Sequence, residues 1–361
     1  MSVATRLDRL VAADGCGHLL VTRREDIRWL TGFTGGTSQL LVSRSDGRSY
    51  LYVDGRYLER AQAEVSRSGA PVSIMPNTHE SPLLDHVRSL GAVRVAVDFH
   101  HITAARLTEL RESFDVVNES GRLDDLRRVK DPEEIELMEQ AAAIADRALQ
   151  RVVSEGLLGE SEKQIRNRLD SAMREYGADD VSFATIVATG PNGARPHHEP
   201  TDDIVESGHG VVIDMGAEVG GYRSDMTRTV RVGEWTDEYQ LMFDIVREAQ
   251  SDGVAAVVDG VPGSEVDAAV CAVFEREGVR HEYVHGTGHG VGLYIHEEPI
   301  LSSRCTAVLR EHEVVTVEPG LYRKGVGGVR IEDQVVVTGT GCRIITLSPK
   351  ELSCPRSPRT T

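Results

Sequence analysis

Short apolar runs alternate with helical stretches along the first third of the chain. The runs HLLV, QLLVS, YLYV and VRVAVDF have the length and composition of β-strands, and LTELRESF has a helical pattern. Asp46 and Gly47 lie between QLLVS and YLYV, where an Asp-Gly pair favours a β-hairpin. This pattern predicts a small α/β domain over residues 1–128.

A longer stretch with helical periodicity follows residue 128. In the stretch VKDPEEIELMEQAAAIADRALQRVV, Asp131 can cap a helix that has Pro132 at its first position. Apolar residues then recur at helical spacing, at Ile135, Met138, Ala142, Ala145, Leu149 and Val152. We therefore expect a domain boundary near residue 128 and a second domain over residues 129–350.

The second domain mixes helices and strands without regular alternation. A helix is expected around SEKQIRNRLDSAMREYG and further helices around residues 237–276. Strands are expected in FATIVATG, GVVIDMG, DMTRTVRV, VVTVEPG and GVRIEDQVVV. This order predicts an α+β fold. Residues 351–361 end in CPRSPRTT, have no apolar periodicity and are expected to form a loose C-terminal tail.

The bulk composition narrows the class of protein. The chain has 361 residues, of which 40% are hydrophobic, so it can bury the cores of two domains. Its 57 acidic residues outnumber its 40 basic residues, and the net charge of −17 repels nucleic acid and anionic membranes. The first residues lack the apolar core of a signal peptide, and no run approaches the roughly 18 apolar residues of a membrane span. We expect a cytoplasmic protein without a nucleic acid or membrane partner.

The cysteines predict neither a disulfide framework nor a cysteine zinc site. They are odd in number, widely spaced and free of any CxxC pair, at Cys16, Cys271, Cys305, Cys342 and Cys354. Reduced thiols with a structural role are therefore expected.

Four histidines occur in HEYVHGTGHGVGLYIH, residues 281–296, and the first five letters match the HExxH zinc signature. That signature works on a helix, where both histidines lie on one face. Glycines at positions 286, 288, 290 and 292 disfavour a continuing helix, and Val291 stands where the longer signature needs a histidine. The zincin interpretation is thus disfavoured, and alternating glycines instead predict a close approach of backbone to a crowded site.

Carboxylates in apolar surroundings are the more specific signal. Asp214 and Asp225 lie in two strand-like runs joined by Val219 and Gly220. If that pair forms a two-residue turn, the aspartates lie directly opposite each other, with Cβ atoms about 4.5 to 5.5 Å apart. Two carboxylates at this distance repel strongly unless a cation lies between them. A bound metal is the simplest explanation.

Glu318 and Glu332 form a second pair, in two strand-like runs around a glycine-containing turn. An unpaired carboxylate within an apolar strand is costly, so the alternative of four surface acids fits VVIDMG and VVTVEPG poorly. Two aspartates, two glutamates and one histidine can hold two divalent ions about 3.5 to 4 Å apart. Oxygen-rich ligation favours Mn²⁺, although Co²⁺, Fe²⁺ or Zn²⁺ can also bind. Such a pair supports amide hydrolysis by an activated hydroxide.

The order Asp214, Asp225, His289, Glu318 and Glu332 resembles that of the pita-bread metallopeptidases, the group of methionine aminopeptidase, aminopeptidase P and prolidase. The resemblance is carried by DMGAEVGGYRSDMTRT, HGTGHGVGLYIHEEP, VEPGLY and RIED. In the first domain, WLTGFTGG and YVDGRYLERA resemble the creatinase-type N-terminal domain of the proline-specific branch. The resemblance implies a C-terminal pita-bread domain preceded by a smaller α/β domain.

The resemblance also implies a role for each ligand. Asp214 would bind one metal, His289 and Glu318 the other, and Asp225 and Glu332 would bridge the two. Glu318 would in addition shuttle a proton during catalysis.

Three further histidines match residues that line the pocket in the family. His197, His285 and His296 are expected to contact substrate and to stabilise the tetrahedral intermediate. Arg330 is expected to neutralise part of the acid-rich site. His198 receives no direct role, and His281 matches nothing in the family and is expected to be structural or exposed.

The N-terminal domain favours the proline-specific branch. We expect hydrolysis of the Xaa-Pro bond at the N-terminus of short peptides or dipeptides, by a homodimer. Ala184 and Gln334 depart from residues common in relatives, which leaves aminopeptidase versus dipeptidase open and admits a non-peptide amide substrate or a methionine aminopeptidase-like activity. A catalytically silent peptide-binding module is the alternative from another class, and the complete ligand set argues against it.

Overall fold

The computed structural model describes residues 3–12, 17–77 and 82–354. The chain divides into two compact units, Met1–Leu126 and Arg127–Thr361. Cys16 and residues 355–361 of the predicted tail lie outside the described residues.

The first unit contains a six-stranded sheet with helices between its strands. The strands are β1 (His18–Val21), β2 (Ser38–Ser43), β3 (Arg48–Asp54), β4 (Val72–Asn77), β5 (Arg94–Val97) and β6 (Asp115–Asn118). The helices are α1 (Val3–Ala12), α2 (Arg24–Thr31), α3 (Leu58–Ser68), α4 (Pro82–Ser89), α5 (Ala104–Arg111) and α6 (Arg122–Arg128), the last of which runs into the second unit. The strand order is β4-β3-β2-β1-β5-β6. The predicted hairpin is confirmed, since Ser43 pairs with Arg48 and Gly47 has a φ of 70° in the loop between them.

The second unit has four long helices and fourteen described strands. The helices are α7 (Pro132–Glu155), α8 (Glu162–Glu175), α9 (Asp237–Ala256) and α10 (Gly263–Arg276). The strands are β7 (Asp180–Val181), β8 (Ile186–Thr189), β9 (Gly210–Met215), β10 (Ala217–Val219), β11 (Tyr222–Arg223), β12 (Met226–Val232), β13 (Gly288–Gly290), β14 (Glu297–Leu301), β15 (Val314–Val317), β16 (Gly320–Arg323), β17 (Gly327–Arg330), β18 (Asp333–Thr338), β19 (Gly341–Ile344) and β20 (Leu352–Cys354). The predicted α+β character is confirmed.

Helix α7 begins where the sequence predicts. The side chain of Glu134 accepts a hydrogen bond from the backbone N–H of the N-cap Asp131 at 2.7 Å, and Pro132 occupies the first helical position. The apolar positions predicted to face the core are all buried. Three of them, Ala145, Leu149 and Val152, belong to one core cluster with residues of α8, β8, β9 and β12. This core gives a rigid base to the strand that carries Asp214.

Two larger sheets of the second unit carry the carboxylates. One has the order β20-β12-β9-β8 and the other β14-β13-β15-β18-β19. Thr229 of β12 and Arg330 of β17 exchange hydrogen bonds, with Thr229 Oγ1 donating to the Arg330 carbonyl at 3.0 Å and accepting from its N–H at 3.1 Å. The N–H of Glu332 donates to the carbonyl of Thr227 at 3.1 Å. These bonds bring the acid-bearing ends of the strands together.

The predicted register of the Asp214 hairpin is wrong by two residues. Val219 pairs with Tyr222, so the turn is Gly220-Gly221, and Asp214 pairs with Thr227 instead of Asp225. The φ values of Gly220 and Gly221 are 57° and 84°, and a two-residue hairpin turn favours positive φ at both central residues. Because side chains alternate along a strand, a shift of two residues keeps both aspartates on the same face.

The second acidic pair lies just outside the strands in which it was predicted. Val317 pairs with Asp333. Glu318 directly follows Val317 and Glu332 directly precedes Asp333, so the two glutamates flank the β16–β17 hairpin. Their side chains can therefore leave the plane of the sheet.

Three further expectations, on the C-terminal tail, the cysteines and membrane spans, can be compared with the structure. Leu352–Cys354, predicted as loose, pair with β12 in parallel as β20. The described cysteines are free thiols: Cys271, Cys305, Cys342 and Cys354. Among the described residues, no helix combines the length and apolar character needed to cross a membrane.

Candidate metal and catalytic site

One cavity of about 440 Å³ in the second unit collects the candidate residues. Its lining includes every residue to which the sequence assigned a ligand or catalytic role: His197, Asp214, Asp225, His285, His289, His296, Glu318 and Glu332. These residues come from six separate parts of the chain. Their convergence is a property of the fold that no single motif carries.

The centre of the cluster is formed by Asp225, His289 and Glu332, whose potential ligand atoms all lie within 4.8 Å of one another. His289 Nε2 is 3.6 Å from Asp225 Oδ2 and 3.4 Å from Glu318 Oε1. One imidazole nitrogen thus faces two carboxylates from different parts of the chain.

The orientation of His289 suits a ligand. Its Nδ1 donates to the carbonyl of Gly290 at 3.0 Å, which leaves the lone pair on Nε2 directed at the carboxylates. Burial lowers the pKa of His289 to about 4, so the ring is neutral at pH 7. A Cβ on Gly288 would lie 2.0 Å from the carbonyl oxygen of Thr316, and one on Gly290 would lie 2.4 Å from that of Glu298. The alternating glycines therefore permit the close backbone approach that the sequence predicted.

The HExxH interpretation fails on geometry. Residues Arg280–Glu282 form a single 3-10 turn, and His285 lies beyond it, so no helix places His281 and His285 on one face. The side chain of His281 is 77% exposed.

The acid cluster, which consists of Asp214, Asp225, Glu318 and Glu332, contains carboxyl groups that repel one another. Burial, followed by repulsion from Glu332 and Asp214, raises the pKa of Asp225 well above its usual value. Burial, followed by repulsion from Glu318, has the same effect on the pKa of Glu332, and burial raises the pKa of Glu318 to about 8. These carboxylates share one site with too little positive charge from the protein.

The donor set fits divalent metal ions. Four carboxylates and one neutral imidazole match ions that prefer oxygen and nitrogen ligands. Oδ1 of Asp214 is buried and has no hydrogen-bond partner among the described residues. A buried oxygen of this kind, beside carboxyl groups that repel each other, lacks a cation partner.

A hydrogen-bonded chain runs along one wall of the cavity. Arg330 Nη2 donates to Asp214 Oδ2 at 2.6 Å, and Arg330 Nη1 donates to the hydroxyl of Tyr322 at 3.0 Å. The Tyr322 hydroxyl lies 2.8 Å from His285 Nε2, and His285 Nδ1 lies 2.8 Å from the carbonyl of Gly286. Because a carbonyl only accepts, Nδ1 of His285 carries the proton and Nε2 accepts from Tyr322. Both nitrogens of His285 thus have hydrogen-bond partners within the chain.

The other two histidines with a predicted catalytic role, His197 and His296, line the cavity. The ring of His296 lies edge-on to that of His289, with centroids 4.5 Å apart. Burial, then the neighbouring His197, lowers the pKa of His296. Apolar side chains complete the wall: Phe183, Ala184, Ile186, Pro196, Ile295 and Ile300. The cavity therefore joins a polar, acid-rich end to an apolar surface.

Sequence reasoning missed several residues that support this site. Thr227 Oγ1 donates to Glu332 Oε2 at 2.7 Å and accepts from Arg330 Nε at 3.0 Å. Tyr322 lies inside the quoted motif VEPGLY, so its place could have been suspected. Glu162, described below, had no distinguishing signal, since an acid in the first turn of a helix is common.

The chain is similar to known proteins along nearly all of its length. Residues 136–339 match Metallopeptidase family M24, and residues 4–129 match the Creatinase/Prolidase N-terminal domain. An uncharacterized peptidase of Bacillus subtilis, YqhT, is 37% identical over 350 residues, which cover 96% of this chain and 98% of that protein. An Xaa-Pro dipeptidase from Bacillus anthracis has a similar structure, with a TM-score of 0.92, 35% identity, and coverage of 98% of this chain and 99% of its own. An X-Pro aminopeptidase from Thermotoga maritima gives a TM-score of 0.90 at 32% identity, with coverage of 98% and 100%.

Proposed function

Because the chain belongs to metallopeptidase family M24, we propose that it hydrolyses the Xaa-Pro bond at the N-terminus of short peptides or dipeptides. The pita-bread fold and the creatinase-type N-terminal domain predicted from the sequence are both confirmed. The single observation that carries the proposal is the acid cluster in the cavity, whose buried carboxyl groups repel one another. The dipeptidase and aminopeptidase named among the similar structures support the choice of an Xaa-Pro bond.

We assign the metal ligands as the sequence predicted them. Asp214 would hold one ion, His289 and Glu318 the other, and Asp225 and Glu332 would bridge them. The oxygen-rich set favours Mn²⁺ over Co²⁺, Fe²⁺ or Zn²⁺. When bound, two such ions would supply an activated water nucleophile and polarise the substrate carbonyl.

The residues of the chain would handle the protons and the developing charge. Glu318, at the edge of the cluster, would take the proton of the attacking water on a carboxylate oxygen and deliver it to the leaving nitrogen of proline. His197 and His296 line the cavity, and a neutral imidazole has one N–H to donate to the tetrahedral oxyanion. His285, held between Tyr322 and the backbone, would act through the chain that ends at Arg330 and Asp214.

The apolar wall would take the proline ring. Phe183, Ile186, Ile295 and Ile300 present hydrocarbon to the cavity, and a pyrrolidine ring gains free energy when it leaves water for such a surface. A homodimer and a cytoplasmic location remain parts of the proposal, and both rest on the resemblance and the sequence patterns given above.

Peptide cleavage tests the proposal. Release of the N-terminal amino acid is measured from Xaa-Pro dipeptides and Xaa-Pro-Yaa tripeptides, with Xaa-Ala and Met-Ala peptides as controls, in the presence of Mn²⁺ and of a chelator. We expect metal-dependent cleavage of Xaa-Pro bonds alone, and the ratio of dipeptide to tripeptide turnover separates a dipeptidase from an aminopeptidase. Cleavage of Met-Ala in preference would indicate a methionine aminopeptidase-like enzyme. Intact peptides despite bound metal would contradict the proposal and direct the search to non-peptide amides or a binding role.

A further inference from the structure

One buried carboxylate holds the segment that carries His197. Glu162 is the first residue of α8, follows the N-cap Ser161, and is fully buried. Burying a carboxylate costs free energy unless several donors compensate it, so each donor around Glu162 is informative.

The two oxygens of Glu162 bind opposite ends of this segment. Oε1 accepts from the N–H of Thr189 at 2.8 Å and from Nδ2 of Asn192 at 2.9 Å. Oε2 accepts from the N–H and the hydroxyl of Thr201, both at 2.8 Å. Because His197 lies between Asn192 and Thr201, Glu162 fixes the chain on both sides of it.

His198 makes the fifth contact and lies next to His197 in the chain. Its ring is buried, with Nε2 2.7 Å from Glu162 Oε2 and Nδ1 3.5 Å from Arg195 Nη1. A carboxylate only accepts, so Nε2 carries a proton. The His198 ring is thereby fixed to Glu162, and the backbone is fixed one residue away from His197. Among the described residues that line the cavity, neither Glu162 nor His198 is found.

We propose that Glu162 and His198 are positioning residues that hold His197 at the wall of the cavity. The inference rests on the proposed peptidase function, in which His197 contacts the substrate. A loosely held His197 would still bind substrate but would meet the tetrahedral oxyanion in the wrong geometry. The loss should therefore fall mainly on kcat.

Three variants separate positioning from general stability. His198→Phe keeps a buried ring but cannot donate to Glu162, and His198→Gln restores a donor. Asp202→Asn is the matched control, because Asp202 directly follows the same segment and forms an exposed pair with Lys163. With the best Xaa-Pro peptide, we expect His198→Phe to lower kcat by about 10- to 100-fold with a small change in KM. His198→Gln should recover most of that loss, and Asp202→Asn should match the wild type.

A double-mutant cycle with His197→Ala gives the decisive test. If His198 acts through His197, His198→Phe should cause little further loss once His197 has been removed. Losses that multiply, or a wild-type kcat in His198→Phe, would overturn the inference.

Amide hydrogen exchange, read by mass spectrometry, keeps the inference separate from the proposed function. We expect faster exchange over residues 190–201 in His198→Phe than in the wild type, with unchanged exchange in α9 and α10. If the wild type cleaves no Xaa-Pro peptide, the proposed function fails while this faster exchange still supports the positioning. Unchanged exchange over residues 190–201 would overturn it.

Discussion

Two sets of carboxylates in the second unit are similarly buried, but their pKa values shift in opposite directions. Glu162 and Glu297 are 0% and 6% exposed, and Asp225 and Glu332 are 4% and 2% exposed. Although burial opposes it, the donors around Glu162 and the cations around Glu297 lower the pKa of each carboxyl. Burial and mutual repulsion raise the pKa of Asp225 and Glu332. The difference lies in the partners and not in the depth of burial.

The partners of each set explain its role. Glu297 Oε2 is 3.2 Å from Lys130 Nζ, and Arg127 Nε is 3.5 Å from Glu297 Oε1. Glu162 has five donors. The cavity carboxylates face mainly one another, and Arg330 reaches only Asp214 directly. We expect the compensated set to stabilise the fold, and in our proposal the uncompensated set binds cations.

The largest expected effect is that of Asp225→Asn. Removing a bridging carboxylate should lower metal content and activity together, with a loss of several kcal/mol of transition-state stabilisation, roughly 10³-fold in kcat/KM. Elemental analysis of the purified variant and peptide cleavage assays measure the two quantities. Full activity with a full complement of metal would remove Asp225 from the ligand set.

In the absence of metal, the stability of Asp225→Asn tests whether the cavity carboxylates repel one another. In chelator, Asp225→Asn should have a higher free energy of unfolding than the wild type, because it removes one of the mutually repelling carboxyl groups. Urea unfolding of both chelator-treated proteins measures this difference. A less stable variant would mean that Asp225 stabilises the fold by itself.

Lys130→Met should lower the free energy of unfolding, which is opposite to the effect expected for Asp225→Asn in chelator. It leaves the buried Glu297 with Arg127 as its remaining cation among the described residues, and breaking a buried ion pair costs about 3–5 kcal/mol of unfolding free energy. Arg276→Ala is the control, because the pair between Arg276 and Glu248 is exposed and should contribute little to stability. Equal effects in urea unfolding would contradict the distinction between compensated and surface carboxylates.

Glu162→Gln tests, through the pH dependence of stability, whether the compensated carboxylate of Glu162 stabilises the fold. The variant leaves buried donors poorly matched, so we expect a loss of about 1–3 kcal/mol at pH 7. The folded state lowers the pKa of Glu162 below the ordinary 4.5. The wild-type advantage should therefore be fully present above pH 4.5 and should disappear as the pH falls through the folded pKa. Unfolding curves taken across this range measure the difference, and an advantage that grows in acid would contradict the assignment.

The smallest effect is expected for His281→Ala. The exposed ring should contribute less than about 0.5 kcal/mol to stability, and kcat and metal content should stay at the wild-type level. A variant without metal would restore the HExxH interpretation.

Local sequence signals were sufficient for the long helices of the second unit and for singling out the candidate carboxylates. Asp131, Pro132 and Glu134 mark the start of α7 within four residues, and the carboxylates of VVIDMG and VVTVEPG stand out against apolar neighbours. The register of β9 and β12 was missed because Val219-Gly220 and Gly220-Gly221 both resemble turns. Only the second gives positive φ at two glycines.

The compensated carboxylates could not be recognised from the sequence. Glu162 is 27 to 39 residues from its partners, and Glu297 is 167 residues from Lys130. Nothing in SEKQIRNR separates Glu162 from an exposed acid in the first turn of a helix. Long-range packing alone shows which acids have partners.

Calorimetric titration of Mn²⁺ into the chelator-treated wild type and Asp225→Asn is the most direct test of the central claim, that the uncompensated carboxylates bind cations. The account predicts two ions per chain in the wild type and the loss of at least one in the variant. No binding by the wild type, or binding unchanged by Asp225→Asn, would contradict it.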